Sequence, residues 1–346
     1  MLPLAILFVV LPLLYFIYGL LGRKLTISGI ERKAVLITGC GSGFGRDLVK
    51  RCLENGLTVF AGCQFESNVK ELEERYSSIN QGRLHAFQMD VTDDESVRKS
   101  REIVDVVLKE KNLVFHALVN NAGIRGNLFH DDFLTLDDYK EVLDVNLLGV
   151  IRVTKTFRDL IKKSRGRLVI CSSATTLFSA PCHSSYCCSK FAVQAYSIVI
   201  RHELQPYGVD VIEIAPGYFK TGMGNIEAIL QMMDVIWYQA SQKLREEYGY
   251  DYNEKAKKFI KKLLSKILKT DTTSVIDAYY EAIVAKRPKI LYRIGWDALF
   301  IFYPYSILPL RLQLYVMKFI AYVSRAPLPL ITTKNIHPEN PENYDD

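Results

Sequence analysis

The chain has 346 residues, enough for one large α/β domain or two small ones with a sizeable core. Hydrophobic residues make up 49% and charged ones 24%, a globular balance enriched by apolar stretches at both ends. The formal charge of +6 comes without a Lys/Arg block long enough for nucleic acid, so the excess reads as membrane-surface affinity or as nothing.

Met1 to Gly22 carries no charged side chain, and Arg23 and Lys24 follow at once. A helix of that length spans the hydrocarbon core of a bilayer, and Pro3 and Pro12 are tolerated there, so residues 1–24 read as an uncleaved membrane anchor, the alternative being a hydrophobic helix docked on the domain. No basic n-region or small-residue cleavage site marks a signal peptide. The two cations after the anchor place the following domain in the cytosol. A linker from Thr26 to Arg32 leads into short apolar runs, Lys33–Thr38, Thr58–Cys63, Leu84–Asp90, His116–Asn121, Arg167–Ser173 and Asp210–Ala215, which predict buried strands. Between them, Gly43–Glu54, Val69–Tyr76, Asp94–Leu108, Leu136–Ile161 and Ser185–Gln205 predict helices. Strands alternating with helices imply an α/β fold, a doubly wound Rossmann-type parallel sheet with helices on both faces.

Beyond Gly217 the alternation loosens. Met223–Lys269 is helical and charged, and its cluster of Lys255, Lys257, Lys258, Lys261 and Lys262 reads as a solvated face. Lys289–Arg293 suits a last strand. Arg311, Lys318 and Arg325 recur every seven residues on an otherwise apolar stretch, which predicts a helix lying in a membrane interface. Such a helix could also cap the core or cover a homodimer partner. Asn335–Asp346 is polar and acidic, the composition of a disordered tail. The organisation is therefore an anchor (1–24), a catalytic domain (25–294) with a substrate lid (222–270), and an apolar extension with an acidic tail (295–346). The seven cysteines lack paired zinc-ligand spacing, and Cys187 and Cys188 are adjacent, so free thiols and no metal are expected.

The first strand runs into Thr38-Gly39-Cys40-Gly41-Ser42-Gly43-Phe44-Gly45 and then a helix. Glycines there let the backbone approach a pyrophosphate that the helix N-terminus attracts, a dinucleotide signal. The second strand ends in Gly62-Cys63-Gln64-Phe65, with neither the acid that binds ribose hydroxyls nor the arginine that binds a 2′-phosphate. With neutral Ser42 in the loop, no cation compensates that phosphate, so NAD is favoured and NADP left open. Asp90-Val91 and Asn120-Asn121-Ala122-Gly123 lie at strand carboxyl ends, where ligands bind in open sheets. Each could equally be turn chemistry. Tyr186 and Lys190 stand four apart on one helix, where an ammonium would lower the phenol pKa and suit it to acid/base work. Ser172-Ser173 precedes that helix and supplies a hydroxyl for a reacting oxygen. A serine hydrolase is discounted because no G-x-S-x-G elbow surrounds it.

The glycine pattern, Asn120-Asn121-Ala122-Gly123, Asn146 within Val145–Gly149, Ser173, Tyr186, Lys190 and Pro216-Gly217 together resemble the short-chain dehydrogenase/reductase family over about Lys33 to Thr221. The resemblance implies a catalytic tetrad of Asn146, Ser173, Tyr186 and Lys190, with Asn146 holding a relay water. It implies cofactor contacts from Thr38, Gly39, Ser42, Gly43, Phe44, Gly45, Gln64, Asp90, Val91, Asn120, Ala122, Gly123, Tyr186, Lys190, Pro216, Gly217 and Thr221, with Ser173 also on the substrate. Ser173 is preferred to Ser172 because it lies thirteen residues before the tyrosine. Ala174-Thr175-Thr176 departs from the family, where a glycine is frequent. Pro216–Thr221 and Gly295-Trp296-Asp297-Ala298 are similar to the membrane-bound retinol and oxidative hydroxysteroid dehydrogenases. That implies NAD, a lipophilic small-molecule alcohol as substrate, and a place on the endoplasmic reticulum. A hydroxybutyrate-type dehydrogenase would want a cationic pocket that the sequence does not locate, and a non-catalytic scaffold would be expected to have lost part of the tetrad.

Overall fold

The computed structural model of the chain describes residues 22, 25–220 and 225–334. The anchor 1–24 (Gly22 apart), Thr221 and the acidic tail lie outside the described residues. Among the described residues, no helix is long and apolar enough to cross a membrane.

Seven strands make one parallel sheet: β1 Lys33–Thr38, β2 Thr58–Cys63, β3 Leu84–Gln88, β4 Val114–Asn120, β5 Arg167–Cys171, β6 Asp210–Pro216 and β7 Leu291–Ile294. Their order is β3-β2-β1-β4-β5-β6-β7. The runs expected to be strands are strands, because Val/Ile/Leu-rich segments buried on both faces need a second strand on each side for their backbone groups. Successive residues feed opposite cores. Val35 and Ile37 pack with Leu48, Leu53 and Tyr279 on one face. Leu36 and Phe60 pack with Val104, Phe157 and Val193 on the other.

The covering helices are α1 Gly43–Glu54, α2 Glu66–Arg75, α3 Asp94–Glu110, α4 Leu136–Leu143, α5 Val150–Ser164 and α6 Ser184–Leu204. Local capping sets two of the starts: Asp93 accepts from the amides of Glu95 and Ser96, and Thr135 and Asp138 form a capping box. The helix expected over Leu136–Ile161 is interrupted. A π-helical turn, Asp144–Gly149, separates α4 from α5 and carries Asn146. The stretch expected as one helical segment after Met223 is three helices, α7 Ile226–Gln239, α8 Gln242–Tyr248 and α9 Tyr252–Ile267, followed by α10 Thr273–Val284 against the sheet. α7–α9 close over a third core in which Phe129 and Phe133 from the loop after β4 meet Trp237, Tyr248 and Tyr252. Phe129 and Phe133 lie edge to face at 4.5 Å, and Phe133 meets Tyr248 at 4.9 Å. Lys255, Lys258, Lys261 and Lys262 of α9 are exposed, as expected of a solvated face, and Lys257 alone is half-buried, reaching Asp234 at 2.7 Å.

α11 (Leu310–Ser324) has no buried residue. Arg311 and Lys318 lie on it as expected, but Arg325 ends it in the left-handed conformation, φ 55°, and so leaves the line of the other two.

Buried polar groups close the sheet's other end. The last carbonyls of α10 meet Arg167 Nη1, which donates to Ala282 O at 2.8 Å, and His116 Nε2, which donates to Ile283 O at 2.9 Å. Ile27 N donates to Val284 O at 2.8 Å. Carbonyls that no helical amide can reach are thereby satisfied. Burial pushes His116 from its ordinary 6.5 down to about 4, and Arg167 adds to the fall. A depressed folded-state pKa contributes stability that is complete above pH 6.5 and is lost as pH falls through 4. We expect the unfolding free energy to drop by about 2 kcal/mol between pH 7 and pH 5 on this account alone. In His116→Gln, which keeps a donor but does not titrate, urea melts at the two pH values should differ by correspondingly less.

Candidate active site

A cavity of about 410 Å³ opens along the carboxyl ends of β1 to β6. Its centre lies where β1 and β4 are neighbours but their crossovers depart in opposite directions, the place where open α/β sheets part their loops. Thr38 Oγ1 holds the two ends together there, accepting from the amides of Asn121 and Ala122 at 3.1 and 3.0 Å. Gly39 turns with φ +71°, and a Cβ on it would sit 2.8 Å from Ala122 Cα. Only glycine fits that approach.

Most of the anticipated residues line this cavity: Gly39, Ser42, Gly43, Phe44, Gln64, Asp90, Val91, Ala122, Gly123, Ser173, Tyr186, Lys190, Pro216 and Gly217. Thr38, Gly45 and Asn146 stand behind the wall as supports. Asn120 is a correction. Its Nδ2 donates to Thr154 Oγ1 at 2.9 Å and the side chain is buried, so the residue that lines the cavity is Asn121. Alternation decides this, since adjacent strand residues face opposite sides.

α6 carries Tyr186 and Lys190 one turn apart, and Ser173, just past β5, lines the same cavity with its hydroxyl near enough to the Tyr186 phenol to lower its pKa. Ser172 is committed elsewhere, donating to Glu213 Oε1 at 2.6 Å, which leaves Ser173 as the serine that faces the tyrosine. Lys190 is buried, with Nζ donating to Cys171 O at 3.0 Å. Asn146 accepts from Ile124 N at 2.8 Å and donates to Ile124 O at 2.8 Å and Ser189 Oγ at 2.9 Å. The π-helical turn is what aims its carboxamide at the loop after β4. A Cβ on Gly123 would lie 3.0 Å from Asn146 Oδ1 and 3.6 Å from Lys190 Nζ, so the two side chains flank one small space.

The electrostatics differ from the simple tyrosine–lysine picture. Lys190 Nζ stands 5.7 Å from the Tyr186 ring centroid. Burial is the largest influence on both groups, raising the phenol and lowering the ammonium. Opposing it at Tyr186 are the Ser173 hydroxyl and the charge of Arg125. Arg125 lines the cavity and carries no sequence motif, so it went unanticipated. The far wall was equally silent in the sequence. Phe178, Tyr218, Ile229, Leu264, Leu268 and Phe302 come from five separate segments. All seven cysteines are free thiols.

A family model described as short chain dehydrogenase matches residues 33–228. The chain belongs to the short-chain dehydrogenase family, a family of oxidoreductases. It is 35% identical over 334 residues to the 3beta-hydroxysteroid dehydrogenase dhs-16 of Caenorhabditis elegans, covering 94% of this chain and 86% of that one. To human retinol dehydrogenase 16 it is 36% identical over 299 residues, covering 86% and 91%. A short-chain dehydrogenase/reductase from Burkholderia phymatum, solved in complex with NAD, superposes with a TM-score of 0.62 at 21% identity, over 87% of this chain and 98% of that one. That last likeness speaks to the fold.

Removing the Arg125 charge should raise the Tyr186 pKa further, because Arg125 lowers it. In Arg125→Gln we expect the pH–rate profile for alcohol oxidation to move upward. An unmoved profile would show that Arg125 does not act on the phenol.

Proposed function

We propose that this dehydrogenase oxidises a lipophilic alcohol, or reduces the matching carbonyl, with NAD. The reading rests on one observation: Ser173, Tyr186 and Lys190 share a cavity with a glycine loop at one end and an apolar wall at the other. The glycine end fits a dinucleotide. Ser42 stands at the N-terminus of α1 without a side-chain bond to the helix amides, leaving them for a pyrophosphate. Gly39, Ser42, Gly43 and Phe44 would take that group, Gln64 the adenosine ribose, and Asp90 and Val91 the adenine. Ala122, Gly123, Lys190, Pro216 and Gly217 would hold the nicotinamide riboside, and Thr221, outside the described residues, is assigned to the same end. Bound there, the nicotinamide ring supplies the hydride acceptor or donor.

The chain's own residues do the rest. Ser173 holds the reacting oxygen by a hydrogen bond. Tyr186 takes the alcohol proton in oxidation or returns it in reduction. Lys190 orients the ribose, and Asn146 fixes the loop after β4 and holds a relay water. The preference for NAD follows from the charges near the loop. Arg46, on the first turn of α1, is engaged by Glu71 at 2.7 Å, so it is not offered to a 2′-phosphate. The far wall favours a lipophilic substrate over a small hydroxy acid, whose charge would need desolvation there. The names of the similar hydroxysteroid and retinol dehydrogenases point the same way.

The apolar surface of α11 fits the bilayer as the place from which such a substrate arrives. Leu312, Leu314 and Phe319 are exposed on it, and Phe300 and Ile301 are exposed next in sequence to Phe302 of the cavity wall. With an anchor at 1–24 that ends in Arg23 and Lys24, the catalytic domain would lie on the cytosolic side of the endoplasmic reticulum. A second copy of the chain is the other occupant α11 could take.

Two measurements test this. Tyr186→Phe should lower kcat for sterol or retinol oxidation at least about 100-fold while NADH still binds, and the unaltered enzyme should use NAD more efficiently than NADP. A mutant with near-normal turnover would sink the mechanism, and equal or better use of NADP would sink the cofactor assignment. Deleting residues 1–24 should leave a protein that still floats with anionic liposomes, and adding Leu312→Glu with Phe319→Glu should release it. Release by the deletion alone, or flotation of the triple-changed protein, counts against α11 as the membrane contact.

A further inference from the structure

Gly295-Trp296-Asp297-Ala298 follows β7, on the edge of the sheet and away from Tyr186 in sequence. Its carboxylate is nevertheless placed at a junction. Asp297 Oδ2 accepts from Tyr218 N at 2.9 Å, and a Cβ on Gly217 would lie 2.5 Å from the same oxygen. The carboxylate therefore sits directly beneath the Gly217–Tyr218 backbone, which lines the cavity. Asp297 Oδ1 accepts from Lys269 Nζ at 2.6 Å. Lys269 lies just beyond α9, one residue after Leu268, which lines the cavity from the lid side.

Backbone bonds repeat the connection. Lys220 N donates to Lys269 O at 2.7 Å, and Lys269 N donates to Tyr218 O at 3.3 Å. Lys269 Nζ also lies 5.3 Å from the ring centroids of Phe219 and Trp296. Asp297 is buried and its side chain is only 10% exposed, so the ion pair works at low dielectric, where it is strong when complete and costly when halved.

We infer that Asp297 is a positioning residue that ties the loop after β6 to the end of the lid, so that cofactor held against Gly217 stiffens α7–α9 over the substrate. The inference rests on the cofactor–substrate reading of the cavity, and it goes further by making the two ends interdependent. Neither Asp297 nor Lys269 touches the reacting atoms. Without the pair, only the two backbone bonds of Lys269 would join the loop to the lid, and the side-chain link that runs through Asp297 to the Tyr218 amide would be gone.

The test reads NADH binding by fluorescence and trypsin cleavage at the exposed lysines of α9, Lys255, Lys258 and Lys262, in the full-length protein. NADH should slow that cleavage at least about fivefold in the unaltered protein. The double variant Asp297→Asn/Lys269→Met leaves no orphaned charge and keeps an oxygen for the Tyr218 amide. It should bind NADH within about threefold of normal yet lose the protection. Lys269→Arg should restore protection, and Asp297→Ala, which removes the acceptor beneath Tyr218, should weaken NADH binding about tenfold. Undiminished protection in the double variant, or normal NADH affinity in Asp297→Ala, overturns the proposal. An unaltered protein that fails to bind NADH overturns the dehydrogenase reading and this inference with it, whereas normal binding with undiminished protection overturns the coupling alone. Melting temperatures measured alongside identify a variant that has simply unfolded, and for such a variant Lys269→Gln replaces Lys269→Met with the same expected loss of protection.

Discussion

The adjacency of β1 and β4 at the middle of the sheet governs everything built above it. Their crossovers leave in opposite directions, so no single loop can cover both carboxyl ends. Thr38 prevents the gap from splaying by taking two amides from the start of the next loop onto one hydroxyl. Asn121 returns the connection, its Nδ2 donating to Thr38 O at 2.9 Å. The cavity is what remains when two strands are forced together and their loops are forced apart.

Polar groups buried around that gap are satisfied mostly by one another. Glu213 on β6 is 2% exposed and takes hydrogen bonds from Ser172, Gln194 and Ser197 at 2.6, 3.0 and 3.2 Å. It thereby joins the end of β5 to the middle of α6, the two elements that present Ser173 and Tyr186. Asn146 does the same for α6 and the loop after β4, through Ser189 and Ile124. Networks of this sort hold geometry because each lost partner would leave an unsatisfied group in a low-dielectric interior.

How much of this could be read beforehand followed from the range of the forces involved. Strand runs such as Thr58–Cys63 announce themselves by uniform hydrophobicity, and Gly43–Glu54 by a glycine turn before a helical stripe. Tyr186 and Lys190 are legible because four residues on a helix is a local relation. Asn120 was misread because the side a strand-end residue faces depends on a register that only the partner strands supply. Arg125, Phe302 and Leu268 were illegible for a plainer reason, since each reaches the cavity through long-range packing that leaves no spacing behind. The charge balance at Tyr186 likewise depends on burial, which a helical offset of four cannot report.

The π-helical turn at Asp144–Gly149 has a consequence for tolerance to insertion and deletion. One residue in an α-helix corresponds to about 100° of rotation. A chain shortened by a single residue between Leu143 and Val150 could close into an uninterrupted α-helix with better backbone bonding, and every side chain before the cut would swing by that angle relative to α5. Asn146 would then face away from Ile124, and α4 would lose the orientation that packs it against α6. The widened turn thus works as an indexing tooth. It sets the rotational phase of one half of a long helix against the other, and a length change of one residue there would be felt as a loss of phase while the helix itself survived.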